Sequence, residues 1–222
     1  QQVRRSDLAL ERTYRAYERN LADTCRLARR EGIPVVLSTV AVNLCSSGPF
    51  ASMHAPSLSA ADRTRWEGLV GEASRLEAEG RWAEAADALT KAVRIDPEHA
   101  EAAYRLGRVQ VQLGRDPDAR THLALARDLD TLRFRADTRT NAIVREVARR
   151  ERGVRLVDAE GVLARSSPHG VPGDESFLDH VHLTFHGNYL LGIALLEQVR
   201  EALPEAVRRQ VSGRTLPTEE DV

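Results

Sequence analysis

The stretch Gly80–Asp96 reads GRWAEAADALTKAVRID, and Gly114–Asp130, which begins 34 residues later, reads GRDPDARTHLALARDLD. Both stretches begin with Gly-Arg and end with Asp, and small or apolar residues between these ends recur at helical spacing. The aligned pairs include Leu89 with Leu123, Ala92 with Ala126 and Asp96 with Asp130. This period, with small side chains where helices would cross, predicts an array of paired helices.

The wider segment from Ala60 to about Asp130 resembles the tetratricopeptide repeat family. The resemblance covers about two repeats, and Trp66 and Trp82 are expected in the repeat core. Thr131 stands where the family often has proline, so we expect the second repeat to end loosely. The resemblance implies an all-α helical array that binds a protein partner.

The segments on either side of the array share one plan, a helix, a glycine and an apolar strand. Asp7 to Arg30 has the spacing of an amphipathic helix, Gly32 ends it, and Val35–Val42 is apolar on both faces. A second helix from Arg135 to Arg152 precedes a second strand at Val154–Asp158. The pattern predicts an α/β fold with parallel strands.

This plan divides the chain into four segments. Residues 1–58 and 135–203 make up the α/β part, and residues 59–134 are the helical array inserted into it. Residues 204–222 are a polar tail. Insertions of this kind are tolerated at exposed loops.

Phe177–Asn188 reads FLDHVHLTFHGN and concentrates ionisable side chains where a strand-to-helix loop is expected. Asp179 precedes His182 by three residues, so its carboxylate can accept the imidazole N–H and stabilise the imidazolium. The spacing alone is a weak signal, because Asp96 and His99 share it at a plain helix-to-helix turn. The pair nevertheless forms a candidate catalytic site because of its surroundings.

The order Asp179-His180-Val181-His182-Leu183, followed by Gly187 and a helix, resembles the last sequence block of the SGNH, or GDSL-like, serine hydrolases. The resemblance implies a flavodoxin-like three-layer α/β sandwich. It also implies ester hydrolysis or acyl transfer on an ester-bearing carbohydrate or lipid, without a cofactor. His182 would be the base of a Ser-His-Asp triad, and Asp179 would orient it. His180 and His186 would then serve as loop or helix-start residues.

The serine nucleophile of that family is missing from the chain. Gly-Asp-Ser, Gly-x-Asn-Asp and Gly-x-Ser-x-Gly do not occur, and Ser38, Ser46 and Ser47 stand in a strand or a loop. We therefore expect this polypeptide alone to be inactive, with the nucleophile and the first strands upstream of Gln1. A sheet of two strands is too small to cover itself, so we expect a dimer or binding of the missing half.

A non-catalytic tetratricopeptide interaction module is the alternative interpretation. Arg105, Arg108 and Gln112 are spaced to face one way, as the polar anchors of a peptide groove do. A solvated helix face is the other explanation for this trio. Asn43 and His54 follow the first strand, where α/β proteins bind ligands, and are either neighbours of a site or loop hydrogen-bonding residues.

Composition narrows the classes of partner. The formal net charge is -1 and the basic residues form no stripe, which argues against nucleic acid. Cys25 and Cys45 lack metal-ligand spacing, so no metal site is expected and their redox state stays open. No apolar run approaches the roughly 20 residues that cross a bilayer, and no signal-peptide pattern occurs. We expect a soluble chain, and the compartment is not indicated.

Overall fold

A computed structural model describes residues 2–211 and 215–221 of the protein. The fold is mostly helical, with 62% of the described residues in helices. The helices are α1 Leu8–Arg30, α2 Ala60–Ala78, α3 Trp82–Ile95, α4 Ala100–Gln112, α5 Asp116–Leu129, α6 Thr138–Arg150, α7 Ala159–Ser166, α8 Phe185–Ala202 and α9 Glu205–Val211. The strands are β1 Val35–Ser38 and β2 Val154–Val157, and short 3-10 turns lie at Pro168–Gly170 and Glu219–Asp221.

Helices α2 to α5 form the repeat array that the 34-residue period predicts. Helix α2 packs on α3, α3 on α4 and α4 on α5, so that consecutive helices are neighbours. Gly80 and Gly114 have positive φ angles of 71° and 65°, a conformation that favours glycine and turns the chain between the helices of each hairpin. Leu76, Leu89 and Leu106 are buried in the main apolar cluster. The array therefore has its own core.

The two strands pair in parallel, with Val35 opposite Val154. Val35 and Val154 pack against a core formed by Ala22 and Cys25 of α1 and Val147 of α6. Side chains alternate between the two faces of a strand, and Arg155, on the opposite face, donates a hydrogen bond to the carbonyl of Glu201 on α8. Helices therefore contact both faces of the strand pair.

The expected flavodoxin-like sandwich is not formed by the described residues. In the described part of the chain the sheet has only β1 and β2, and the first strand ends at Ser38 instead of Val42. Beyond Ser38 the backbone N–H and C=O of Val40 bond to the side-chain amide of Asn141, at 2.8 and 2.9 Å. This fully buried asparagine satisfies the backbone of Val40. The strand pairing stops because β2 ends at Val157, opposite Ser38, where the chain turns into α7.

The junctions around the array also differ from expectation. Helix α6 begins at Thr138 instead of Arg135, because the Asp137 side chain caps it by accepting the N–H of Thr140. Thr131 does not end the second repeat loosely. It is buried, and both its N–H and its hydroxyl donate to the carbonyl of Ala51. The array is thus tied to the loop that precedes it.

The C-terminal segment, expected as a polar tail, contains α9. Tyr189 donates a hydrogen bond to the Pro217 carbonyl, and His186 lies 2.8 Å from a carboxylate oxygen of Glu219. Residues 212–214 and 222, which the predicted tail includes, lie outside the described residues. Within the described residues, no helix combines the length and the apolar character needed to cross a membrane.

Candidate functional site

A groove on one face of α4 collects the polar anchors that the sequence predicts. The cavity has a volume of about 420 Å³. Its lining residues are Ser46, Glu77, Trp82, Tyr104, Arg105, Arg108, Val109 and Gln112. Arg105, Arg108 and Gln112 therefore do share one surface, and two aromatic side chains lie beside them.

The two arginines of the groove are held in place by different partners. Arg105 forms an ion pair with Glu77 at 3.0 Å and donates to the Ser74 hydroxyl at 2.9 Å. Arg108 donates to the Cys45 carbonyl at 2.7 Å. Because these contacts restrict both side chains, the groove is partly ordered before any partner binds.

The loop after β1 lies against the array, which the sequence does not predict. The Tyr104 hydroxyl donates to the Cys45 carbonyl at 2.9 Å, and the Ser52 hydroxyl accepts the N–H of Glu101 in the first turn of α4 at 2.8 Å. Gly48 lies so close to Tyr104 that an added Cβ would stand 3.2 Å from the ring. One part of the α4 face is therefore covered by the chain itself.

Asp96 and Asp130, the aligned ends of the two repeats, both bind this loop. The Asp130 carboxylate accepts the N–H groups of Phe50 and Ala51 at 2.9 and 3.1 Å. The Asp96 carboxylate accepts the N–H of Ala55 at 3.2 Å. Asp96 is fully buried, and Asp130 nearly so. Their alignment was visible in the sequence, but their common partner was not.

His54 and His99 meet beside Asp96 in a small aromatic cluster. His54 donates from Nδ1 to Asp96 at 2.6 Å, and both imidazole rings lie within 5 Å of the Trp66 ring, measured between centroids. His99 accepts the N–H of Ala102 through its own Nδ1 and so caps α4. Burial, with a smaller contribution from His54, lowers the pKa of His99 to about 4. The hydrogen bond from His54 to Asp96 therefore anchors the loop on the array.

Asp179 and His182, the predicted catalytic pair, are in contact. The Asp179 carboxylate lies 2.6 Å from His182 Nδ1 and also accepts the backbone N–H groups of Val181 and His182, each at 2.8 Å. These backbone hydrogen bonds, and then the imidazole, hold the pKa of Asp179 well below its usual range. The His182 side chain is 73% exposed. The arrangement can orient an imidazole for proton transfer at an open surface.

Asn43 connects this pair to the end of the first strand. Its side chain donates to the Asp179 carbonyl at 3.1 Å, and its backbone N–H donates to the His180 carbonyl, also at 3.1 Å. Asn43 is buried, so these hydrogen bonds fix the turn against the loop. His180 packs edge-on against Phe50, with ring centroids 4.9 Å apart. The predicted neighbours Asn43 and His54 therefore lie at different places, and only Asn43 adjoins the pair.

Arg135 is a further structural residue that is not among the predicted site residues. Its buried guanidinium donates to the carbonyls of Asn43, Ser47 and Gly48 and lies 3.3 Å from the Asp130 carboxylate. It therefore joins the loop to the second repeat. One arginine among so many carries no sequence signal of such a role.

The described residues hold no group of three or more side chains that could bind a metal ion. Cys25 and Cys45 are free thiols. Burial raises the pKa of both thiols.

Comparisons with known proteins match one part of the chain. Residues 76–136 match the family model of the tetratricopeptide repeat, a range that includes α3, α4 and α5. No curated protein and no solved structure matches the chain. These findings give no support for an SGNH domain, whereas the repeat match supports a protein-interaction module. Over residues 76–136, therefore, the chain is similar to tetratricopeptide repeats.

Proposed function

We propose that the chain is a protein-interaction module whose partner binds in the groove on α4. The observation that carries this proposal is the groove itself. It places Trp82 and Tyr104 beside Arg105, Arg108 and Gln112. Aromatic and arginine side chains in a concave surface are the residues that contribute most to binding in protein interfaces.

The groove favours a segment that presents oxygen atoms. Arginine guanidinium groups bind carboxylates and carbonyls through several N–H donors, and Arg108 already donates to a backbone carbonyl. The ring of Trp82 can pack against an apolar side chain of the same segment. The partner is therefore proposed to present an extended segment with an acidic or carbonyl group next to an apolar residue.

A photo-crosslinking amino acid at Gln112 tests this proposal. The crosslinked protein is identified, purified, and titrated calorimetrically against the unmodified chain and against the double variant Arg105→Ala/Gln112→Ala. We expect the double variant to lose at least about tenfold in affinity, because it removes two groove contacts.

Arg94→Ala is the matched control, since Arg94 lies on α3, is exposed and does not line the groove. The control should bind as the unmodified chain does. Equal affinity of the double variant and the control would contradict binding in the groove.

A second candidate function, acyl transfer or ester hydrolysis, is favoured by the Asp179–His182 hydrogen bond. We propose that these residues are the carboxylate and base of a triad whose serine belongs to another segment. The substrate would be an ester-bearing carbohydrate or lipid. Residues 1–58 and 135–203 would then be one α/β unit that residues 59–134 interrupt. The direct contacts of Asn43 with Asp179 and His180 support this grouping.

A fluorophosphonate probe distinguishes the two functions. The chain alone should not be labelled, because it supplies no activated serine. In a polypeptide that also supplies the serine, the substitution His182→Ala should strongly reduce labelling by the probe. The substitution His186→Ala should leave labelling unchanged. Undiminished labelling of the His182 variant would remove this residue from the proposed triad.

A further inference from the structure

The loop between β1 and α2 is held by the repeats in the way that a bound peptide would be. In residues 45–55, the single carbonyl of Cys45 accepts hydrogen bonds from both Tyr104 and Arg108. Three backbone N–H groups of the same stretch donate to the two repeat aspartates. Most of these contacts are made by the main chain of the loop. The side chains of residues 45–55 are small except at Phe50, Met53 and His54. Main-chain contacts give affinity to an extended segment, and the larger side chains give selectivity.

Asp96 and Asp130 make equivalent contacts although they belong to different repeats. Each carboxylate accepts the N–H of the residue two positions later in its own turn, Glu98 or Leu132, at 3.3 and 3.0 Å. Each carboxylate also accepts at least one backbone N–H group of the loop. The repeats thus present carboxylate acceptors of one kind at successive positions along the loop.

The two anchors of the segment differ, which fixes its position. His54 donates to Asp96 at 2.6 Å and is largely covered. At Asp130 the corresponding partner is the guanidinium of Arg135, which also donates to the carbonyls of Ser47 and Gly48. A one-residue slip of the segment would separate its imidazole from Asp96.

We infer that the surface formed by Tyr104, Arg108, Asp96 and Asp130 is a peptide-binding surface, occupied in cis by residues 45–55. This surface adjoins the groove of the proposed function, and Tyr104 and Arg108 belong to both. The segment acts as a tethered competitor. A partner segment of the same kind, small residues with a histidine at the Asp96 position, binds here only when the chain's own loop leaves.

A labelled synthetic peptide that copies residues 43–58 tests the inference. It is titrated, with fluorescence anisotropy as the readout, into the full chain and into a full-length variant in which residues 45–55 are replaced by a Gly/Ser linker of equal length. A tethered competitor has an effective concentration of about millimolar, so we expect the linker variant to bind the peptide at least about tenfold more tightly.

Tyr104→Phe in the linker variant keeps the aromatic ring but removes the hydroxyl that donates to Cys45. We expect it to weaken binding of the peptide about threefold to tenfold, the effect of one hydrogen bond. A scrambled peptide should bind no variant. If the linker variant does not retain the helical circular dichroism of the full chain, the variant His54→Ala, which removes one anchor of the loop, replaces it. This variant should also bind the peptide more tightly than the full chain does.

Three results would overturn the inference. They are equal affinity of the peptide for the full chain and the loop variant, equal affinity of the native and scrambled peptides, and no effect of Tyr104→Phe. The test uses no external protein, and its substitutions leave Arg105 and Gln112 intact. Its failure is therefore distinguishable from failure of partner binding in the groove.

Discussion

The protonation of one side chain, His99, should make the stability of the protein depend on pH. Its Nδ1 accepts the N–H of Ala102, which requires an unprotonated nitrogen, and its surroundings lower its pKa to about 4. In the unfolded chain a histidine has a pKa of about 6.5. Between these values the unfolded state binds a proton that the folded state does not.

The free energy of unfolding should therefore fall as the pH drops from about 6.5 toward 4, and the contribution of His99 should be constant above that range. In a chain of this size, each kcal/mol lost lowers Tm by about 2–4 °C. Thermal melts of the full chain and of His99→Asn, which keeps a capping acceptor without titrating in this range, measure the effect. The Tm of His99→Asn should fall less than that of the unmodified chain as the pH is lowered over this range. Parallel curves would show that His99 does not contribute.

Asp179 organises its own turn through two backbone hydrogen bonds as well as through His182. Removing the carboxylate in Asp179→Ala should raise the amide exchange rates of Val181 and His182 several-fold, since both N–H groups lose their acceptor. Asp174→Ala is the control, because its carboxylate contacts Asn43 and neither of these N–H groups. Unchanged exchange in the Asp179 variant would mean that the turn is ordered by other contacts.

At the level of the helices, the close contact between α4 and α5 requires a glycine, which has no side chain, at position 107. A Cβ built on Gly107 would lie 2.6 Å from Leu123 Cγ and 3.1 Å from the Leu123 backbone nitrogen. Gly107→Ala should therefore destabilise the chain by about 1–3 kcal/mol, the usual cost of overpacking. Gly68→Ala in α2 has nothing within 4 Å of the new Cβ and should stabilise by about 0.5–1 kcal/mol. Urea unfolding measures both. Equal effects of the two substitutions would contradict the close helix crossing.

The elements that the sequence predicts are those with a local signal. Gly80 and Gly114 mark the repeat period, and the short spacing of Asp179 and His182 makes their contact possible within one turn. The length of β1 could not be predicted, because it depends on where its partner β2 gives way to α7, on the far side of the helical array. The loop contacts of Asp96 and Asp130 were missed for the same reason, since they depend on how distant segments meet in space.

At the scale of the whole molecule, the strand pair is left with open edges in the described residues, where β1 pairs only with β2. Asn141 binds the backbone of Val40, but Val35–Ser38 pair on one side only. The side chains of Ile33 and Val40, which flank β1, are exposed by 57% and 43%. An open, apolar strand edge favours association, so we predict a concentration-dependent dimer in light scattering. Val40→Lys should weaken the dimer more than Leu8→Lys, which places the same charge at the start of α1. A monomer at all concentrations with one cooperative melt would be the contrary result.

We propose above all that the helical repeats bind a protein partner in the α4 groove. Hydrogen–deuterium exchange of the full chain, measured with and without the partner captured at Gln112, tests it most directly. Exchange should become slower in residues 100–112 and in the facing part of α2 around Glu77, with α6 unchanged. Protection confined to β1 and α8, with residues 100–112 unaffected, would contradict it.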